Sequence, residues 1–145
     1  MKKLTSYPAI FYKEDDGGYS VIFPDLKGVS TCGDDLEHAL YMATDCLAGY
    51  IHSAEIDKEE IPQPSHIQDI TEDIIQNELE ELYDKSRVFV NIISVNVAEY
   101  AEKHFNKAVK KTVTIPQWMA DMAESKKLKL SKILQEALKE KLQTT

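Results

Sequence analysis

Lys110-Lys111-Thr112-Val113-Thr114-Ile115-Pro116, with the two helical patterns that follow it, decides how this 145-residue chain is read. In an extended strand successive side chains point to opposite faces, so Val113 and Ile115 share one face while Lys110, Thr112 and Thr114 share the other. Pro116 ends the strand: its ring holds Ile115 extended, and its missing N–H is no loss in the first turn of a helix. Trp118, Met119, Met122 and Ala123 then recur at helical spacing. Ser125 to Lys129 is a polar break. Ser131 is expected to cap a second helix whose apolar stripe is Ile133, Leu134, Ala137, Leu138 and Leu142.

A strand and two amphipathic helices in the last 36 residues is the pattern of a ribbon-helix-helix DNA-binding module. So short a unit has too little apolar surface to fold alone, because domains below about 40 residues usually need a metal, disulfides or a partner. A homodimer is therefore expected, with Val113, Ile115, Trp118, Ile133, Leu134 and Leu138 as its core. Two such strands paired across a two-fold axis would present a polar ribbon that fits the major groove of double-stranded DNA. Lys110, Thr112 and Thr114 are the expected base-edge contacts, since hydroxyls donate or accept and an ammonium donates to guanine. Lys129, Ser131 and Lys132 are the expected phosphate contacts, helped by the amides at the start of the second helix. An ordinary edge strand guarded by lysine explains the strand alone equally well; the two helices after it tip the balance.

The charges divide the chain. From Lys107 onward nine lysines face four acids, a net of +5; the other eight basic and 21 acidic residues leave residues 1–106 at −13. The tail can approach nucleic acid, and the acidic body suits a basic partner, for instance a protein that itself handles RNA or DNA. Acidic surfaces also serve solubility, which explains the charge alone equally well. The expected domains are 1–106, an acidic α+β domain, and 107–145, the dimerising DNA-binding domain. No apolar run reaches the ~20 residues of a membrane span and the first residues lack the apolar core of a signal peptide, so no membrane contact and a cytoplasmic location are expected. Cys32 and Cys46 form no metal or redox motif and read as reduced thiols. His38, His52, His66 and His104 are scattered, so no metal site and no cofactor are expected.

The body opens as a hairpin. Tyr7 to Lys13 and Tyr19 to Phe23 are rich in aromatic and β-branched residues, with Asp15-Asp16-Gly17-Gly18 between them. Pro24 to Gly28 is a second turn, leading to a short strand at Val29 to Thr31. Gly33 to Glu37 opens a long helix with Asp34 as its cap and Glu37 three residues on. Leu36, Leu40, Ala43, Leu47, Tyr50 and Ile51 mark the helix's expected buried side. Ile56 to Ser65 reads as a loop, Ile67 to Lys85 as acidic and weakly helical, and Val88 to Val97 as a strand covered on both faces. A β-β-β-α-β order and an α+β domain result.

Gly17-Gly18-Tyr19-Ser20-Val21-Ile22-Phe23-Pro24-Asp25-Leu26-Lys27-Gly28, then Thr31-Cys32-Gly33-Asp34 and Ile61-Pro62-Gln63-Pro64-Ser65, resembles the HicB family of type II antitoxins. Thr112 to Pro116, Leu130 to Leu134 and Glu136 to Leu138 are similar to the ribbon-helix-helix tail of many of its members. The resemblance spans nearly the whole chain except Ile67 to Lys85. It implies a partial ribonuclease-H-like fold for the body, a cognate HicA-type ribonuclease toxin that is small and basic, and repression of the operon encoding both.

Such a fold raises the question of two-metal phosphodiester cleavage, which needs carboxylates converging from strands and a helix. Tyr7 to Tyr12 and Val88 to Val97 contain neither Asp nor Glu. The acids Glu14, Asp15, Asp16, Asp25, Asp34, Asp35 and Asp45 fall in turns and on the helix, where turn formation and capping account for most of them. No enzyme activity is expected. The alternative is a dimeric ribbon-helix-helix transcriptional repressor whose N-terminal domain senses a small ligand. The toxin-binding residues are not legible: the acidic turn Glu14 to Asp16 is a candidate that turn chemistry explains equally well.

Overall fold

The computed structural model describes residues 3–80, 83–105 and 108–143, and the chain divides into two compact units, Met1–Lys107 and Ala108–Thr145. The boundary expected between Asn106 and Lys107 lies outside the described residues. The first unit holds strands β1 (Thr5–Lys13), β2 (Tyr19–Ile22), β3 (Ser30–Gly33) and β4 (Val88–Val95), with helices α1 (Leu36–Ile56), α2 (Glu72–Leu79) and α3 (Val97–His104). The second holds α4 (Gln117–Ser125) and α5 (Leu130–Gln143). The result is a mixed α+β chain with one four-stranded antiparallel sheet in the order β3-β2-β1-β4.

The two hairpin turns form as their sequences dictate. In the first, the Glu14 N–H donates to the Gly18 carbonyl at 2.8 Å, Gly17 takes φ +89°, and Asp16 accepts the Gly18 N–H. In the second, Leu26 donates to the Phe23 carbonyl and Val29 to that of Leu26, with Gly28 at φ +77°. Both glycines occupy the left-handed region that other L-residues enter at a cost.

Two apolar layers flank the sheet. On one face Tyr7, Ala9, Phe11, Val21, Ile93 and Val95 pack with Phe23 and Leu26 against Ala39, Ala43, Leu47, Ala48 and Ile51 of α1. On the other, Ile10 packs against Ile70 and Ile75, with Val88, Val90 and Leu79 at the margin. Each large side chain so buried is worth about 1.5–3 kcal/mol of transfer free energy.

The structure departs from the sequence expectations at four places in this unit. The N-cap of α1 is Asp35, which accepts the His38 N–H at 2.8 Å, while the amide of Asp34 is taken by the His38 ring. The buried side of α1 keeps the expected Ala43, Leu47 and Ile51 but is turned toward Ala39, Ala48 and Ala54, which are buried, whereas Leu36 is 41% exposed. The reason is the closeness of sheet and helix, since a Cβ on Gly33 would lie 2.3 Å from the Ala39 amide nitrogen, and only small side chains fit there. The fourth strand stops at Val95 because Asn96 caps α3, a helix the sequence reading did not separate from the strand. That strand is also the edge of the sheet: its side chains enter both apolar layers, but the missing neighbour leaves Phe89 37% and Ile92 46% exposed. The segment read as weakly helical contains α2, capped by Thr71.

In the second unit Lys110 to Ile115 runs without a ladder partner among the described residues, and Pro116 (φ −57°, ψ 144°) sits just before α4 as its cap. The helix ends at Lys126, Lys127 adopts φ +55°, and Leu128 donates to the Ala123 carbonyl at 2.9 Å. Because α5 begins at Leu130, Ser131 is its second residue and not its cap; the Ser131 hydroxyl is engaged by Gln135 at 3.2 Å.

Gly33→Ala is expected to destabilise the first unit by about 1–3 kcal/mol, since the new methyl meets backbone that has no rotamer through which to yield; urea unfolding measures it. Lys127→Gly is expected to stabilise the second unit by about 1 kcal/mol, because glycine enters the left-handed region without steric cost; thermal unfolding at fixed chain concentration checks the sign.

Candidate functional site

In the second unit all six anchors of the expected dimer core are exposed: Val113 62%, Ile115 39%, Trp118 60%, Ile133 43%, Leu134 41% and Leu138 50%. Among the described residues of this unit none is buried. Met119, Met122, Leu130 and Leu142 are exposed as well, so an apolar surface carried by a strand-like segment and two helices is left without cover by the unit itself. Lys110, Thr112 and Thr114 are exposed along the segment before Pro116. Lys129 immediately precedes α5, and Ser131 and Lys132 lie in its first turn, where helix amides have no partner within the helix. The capping role expected of Ser131 is absent, but its position at the helix start is kept.

The acids of the first unit are dispersed, and most have local duties. Glu14 accepts from the Ser20 hydroxyl at 2.7 Å, Asp15 pairs with Arg87, and Asp16 holds the Gly18 amide. The bond to Asp15 and its charge hold the Arg87 guanidinium above its ordinary pKa. Asp84 accepts from the Ser86 hydroxyl and amide, which lower its pKa. Asp25 takes both the amide (2.8 Å) and the hydroxyl (2.6 Å) of Ser65, clamping the proline-bearing loop back onto the Phe23–Gly28 turn. Tyr7 donates to the Pro62 carbonyl of the same loop, and burial, with Asp25 and Tyr50 nearby, pushes the Tyr7 phenol up. Among the described residues no three His, Cys, Asp or Glu side chains gather as a metal ion requires. Cys32 is exposed and Cys46 half-buried; both are free thiols, and burial raises that of Cys46. Among the described residues no helix is long and apolar enough to cross a membrane.

One acid is placed differently. Asp45, in the middle of α1, accepts a bond of 2.9 Å from the Tyr100 hydroxyl of α3. Desolvation first, and then that bond, push the Tyr100 phenol well above its ordinary range, and Tyr41, one turn before Asp45, adds to the shift in the same direction. The Tyr100 ring is stacked on His104 with centroids 4.1 Å apart and meets Phe105 edge-on. The sequence reading missed this group because it missed α3. The signal was present: Asn96-Val97-Ala98-Glu99 has the spacing of a helix start, and Asn96 accepts the Glu99 amide at 3.1 Å.

Comparison with known proteins places these surfaces in a family. The model of the HicB-like antitoxin of bacterial toxin–antitoxin systems matches residues 7–137. Antitoxin HicB 2 of Photorhabdus laumondii is 42% identical over 65 residues, which are 45% of this chain and 46% of that protein. Antitoxin HicB 1 of the same organism is 39% identical over 61 residues, 42% of this chain and 39% of that protein. The matches span about half or less of these curated relatives. A chain of a toxin–antitoxin complex from Streptococcus pneumoniae superposes with a TM-score of 0.61 at 31% identity, covering 96% of this chain and 99% of that one. The N-terminal domain of the Burkholderia pseudomallei antitoxin HicB shares the fold, with a TM-score of 0.50 at 17% identity over 63% of this chain and 98% of that one. With a family match that runs from the first strand into the last helix, the chain belongs to the HicB-like antitoxins of bacterial toxin–antitoxin systems.

Proposed function

We propose that this antitoxin neutralises a small basic ribonuclease toxin of the HicA type with its acidic first unit, and represses its own operon through a homodimer of its second unit, folded as a ribbon-helix-helix. The observation that carries the reading is the exposed apolar surface of the second unit. A +5 tail whose anchors Val113, Ile115, Trp118, Ile133, Leu134 and Leu138 all lie open is completed by a second copy. The segment Thr112 to Ile115 carries alternating polar and apolar residues, and Lys110 to Ile115 has no ladder partner among the described residues, in keeping with a strand completed by a second copy.

In this reading Lys110, Thr112 and Thr114 contact base edges of operator double-stranded DNA, and Lys129, Ser131 and Lys132 contact phosphates with the α5 amides. The body, read as a partial ribonuclease-H-like fold, acts by covering the toxin and needs no chemistry of its own. Its −13 charge speeds association with a basic protein, which suits an inhibitor. A cytoplasmic site of action goes with both partners. The likeness over nearly the full chain to a member of a toxin–antitoxin complex supports the toxin partner.

Mixing the chain with the basic product of the adjacent short gene is expected to stop RNA cleavage, and a truncation ending at Asn106 is expected to stop it too. Continued cleavage with the full-length protein in excess would refute the toxin reading. Thr112→Ala or Thr114→Ala is expected to cost about 1–3 kcal/mol of operator affinity and to loosen preference at one base pair per half-site. Lys132→Ala should weaken all DNA sequences alike and reduce the slope of log affinity against log salt by about 0.9 for each phosphate no longer neutralised. Gel-shift titrations at several salt concentrations separate the two classes, and identical behaviour of both would sink the ribbon assignment. Leu138→Glu is expected to shift the chain from dimer to monomer in sedimentation velocity.

A further inference from the structure

Asp45 stands apart from the other acids of the body. The 21 residues of α1 include Glu37, Asp45 and Glu55 and contain no lysine or arginine, so no cation lies on the helix to answer the Asp45 charge. The ion pairs among the described residues leave Asp45 out, and Lys103 of α3 is committed to Glu99 at 3.2 Å. Asp45 is half-buried and its carboxylate is held in place by the Tyr100 hydroxyl at 2.9 Å. Tyr100 is itself immobilised between α3 and α1 by His104, stacked at 4.1 Å, and by Phe105, at 5.6 Å. Tyr41 lies on the same side of α1, four residues before Asp45, with 56% of its surface open to solvent.

A carboxylate offers about four lone-pair sites, so one tyrosine bond leaves acceptors for an incoming donor. Phenol rings beside it add the attraction of an aromatic face for a cation. Holding the carboxylate in advance lowers the ordering cost of binding. An exposed aromatic residue next to a fixed, half-desolvated charge is the composition of an interface anchor rather than of a solvated surface.

We propose that Tyr41, Asp45 and Tyr100 form the receiving site for an arginine or lysine side chain of a basic protein partner. The occupant follows from charge: the site is anionic and belongs to a body of net −13, which attracts a basic protein and repels nucleic acid and a second acidic body. The site deepens the antitoxin reading and rests on it, since the basic partner is the ribonuclease toxin proposed above.

The test is calorimetric titration of the full-length chain with the purified basic product of the adjacent gene, each variant being accompanied by its thermal unfolding curve. Asp45→Asn keeps an oxygen for the Tyr100 bond and removes only the charge; it is expected to weaken binding by about 30-fold or more at an unchanged unfolding temperature. Tyr41→Ala removes an exposed ring that the fold does not need and is expected to weaken binding about 5-fold. Asp16→Asn, in the hairpin turn, is the control for overall charge and is expected to change affinity by about twofold or less. Wild-type binding with Asp45→Asn and Tyr41→Ala both within twofold of it overturns the site and leaves the antitoxin reading standing. Equal losses for Asp16→Asn and Asp45→Asn also overturn the site, because general attraction then explains both. Absence of wild-type binding overturns the toxin reading and the site together.

Discussion

The first unit hangs on β1. Like β2 it has a ladder on each side, to β2 over Ile10–Lys13 and to β4 over Thr5–Tyr12, and its buried side chains enter both apolar layers. A central strand with a proline is normally a contradiction, because the ring removes a ladder donor. Pro8 escapes it through register. It lies opposite Ile92, whose own N–H goes to the Asn91 side chain at 3.0 Å instead of to β1, so no bond is missing on the β4 side. On the other side β2 ends at Ile22, opposite Ile10, before it would reach Pro8. The alternation of an antiparallel ladder thus leaves Pro8 at a place where no donor is called for, and its ring is free to be buried as apolar volume.

Close packing on that strand sets what α1 can be. Gly33 brings β3 against the first turn of α1, and the helix answers with Ala39 where the sequence offered Leu36. Periodicity alone favours the larger residues, since it ranks hydrophobicity and is silent on distance. The strands, their turns and the helix were legible because alternation, Gly17, Gly28 and the acidic cap are local signals. The rotated helix face, the edge position of β4 and the division between β4 and α3 were not, because each is decided by what packs nearby. Phe89 and Ile92 read as core by their chemistry and are half-open because β4 is the edge of the sheet. For the candidate site the outcome is mixed: the tail residues named for DNA contact and for the dimer core lie exposed, but Lys110 to Ile115 forms no strand among the described residues and Ser131 lies inside α5, whereas the Asp45 group depends on a bond between residues 55 apart in sequence.

The two units solve burial differently. The body closes two apolar layers with its own residues, down to fully buried Phe11, Phe23 and Leu47. The tail keeps its stripe open, and the difference is one of length: a strand and two short helices have no third layer to place behind them. In the proposed homodimer, folding of such a unit and its association are one event, and its stability depends on chain concentration.

Charge in the body works at two ranges. Glu14, Asp16, Asp25 and Asp35 hold turns, a loop and a helix start, and at physiological salt each is screened within about 8 Å. Together they create a field that raises the rate of encounter with a basic protein, and that field does not distinguish one basic protein from another. Discrimination and slow release require charges that are desolvated at the contact and fixed beforehand, since affinity differences between related complexes lie mostly in the dissociation rate. An acid already occupied in capping a turn is poorly suited to that, because its lone pairs and its position are committed to the fold. Asp45, positioned by Tyr100 yet unmatched by a cation on its own helix, satisfies both conditions. In the proposed complex the acidic composition of the body therefore sets how quickly a basic partner arrives, and Asp45, placed by a tertiary contact, how long it stays.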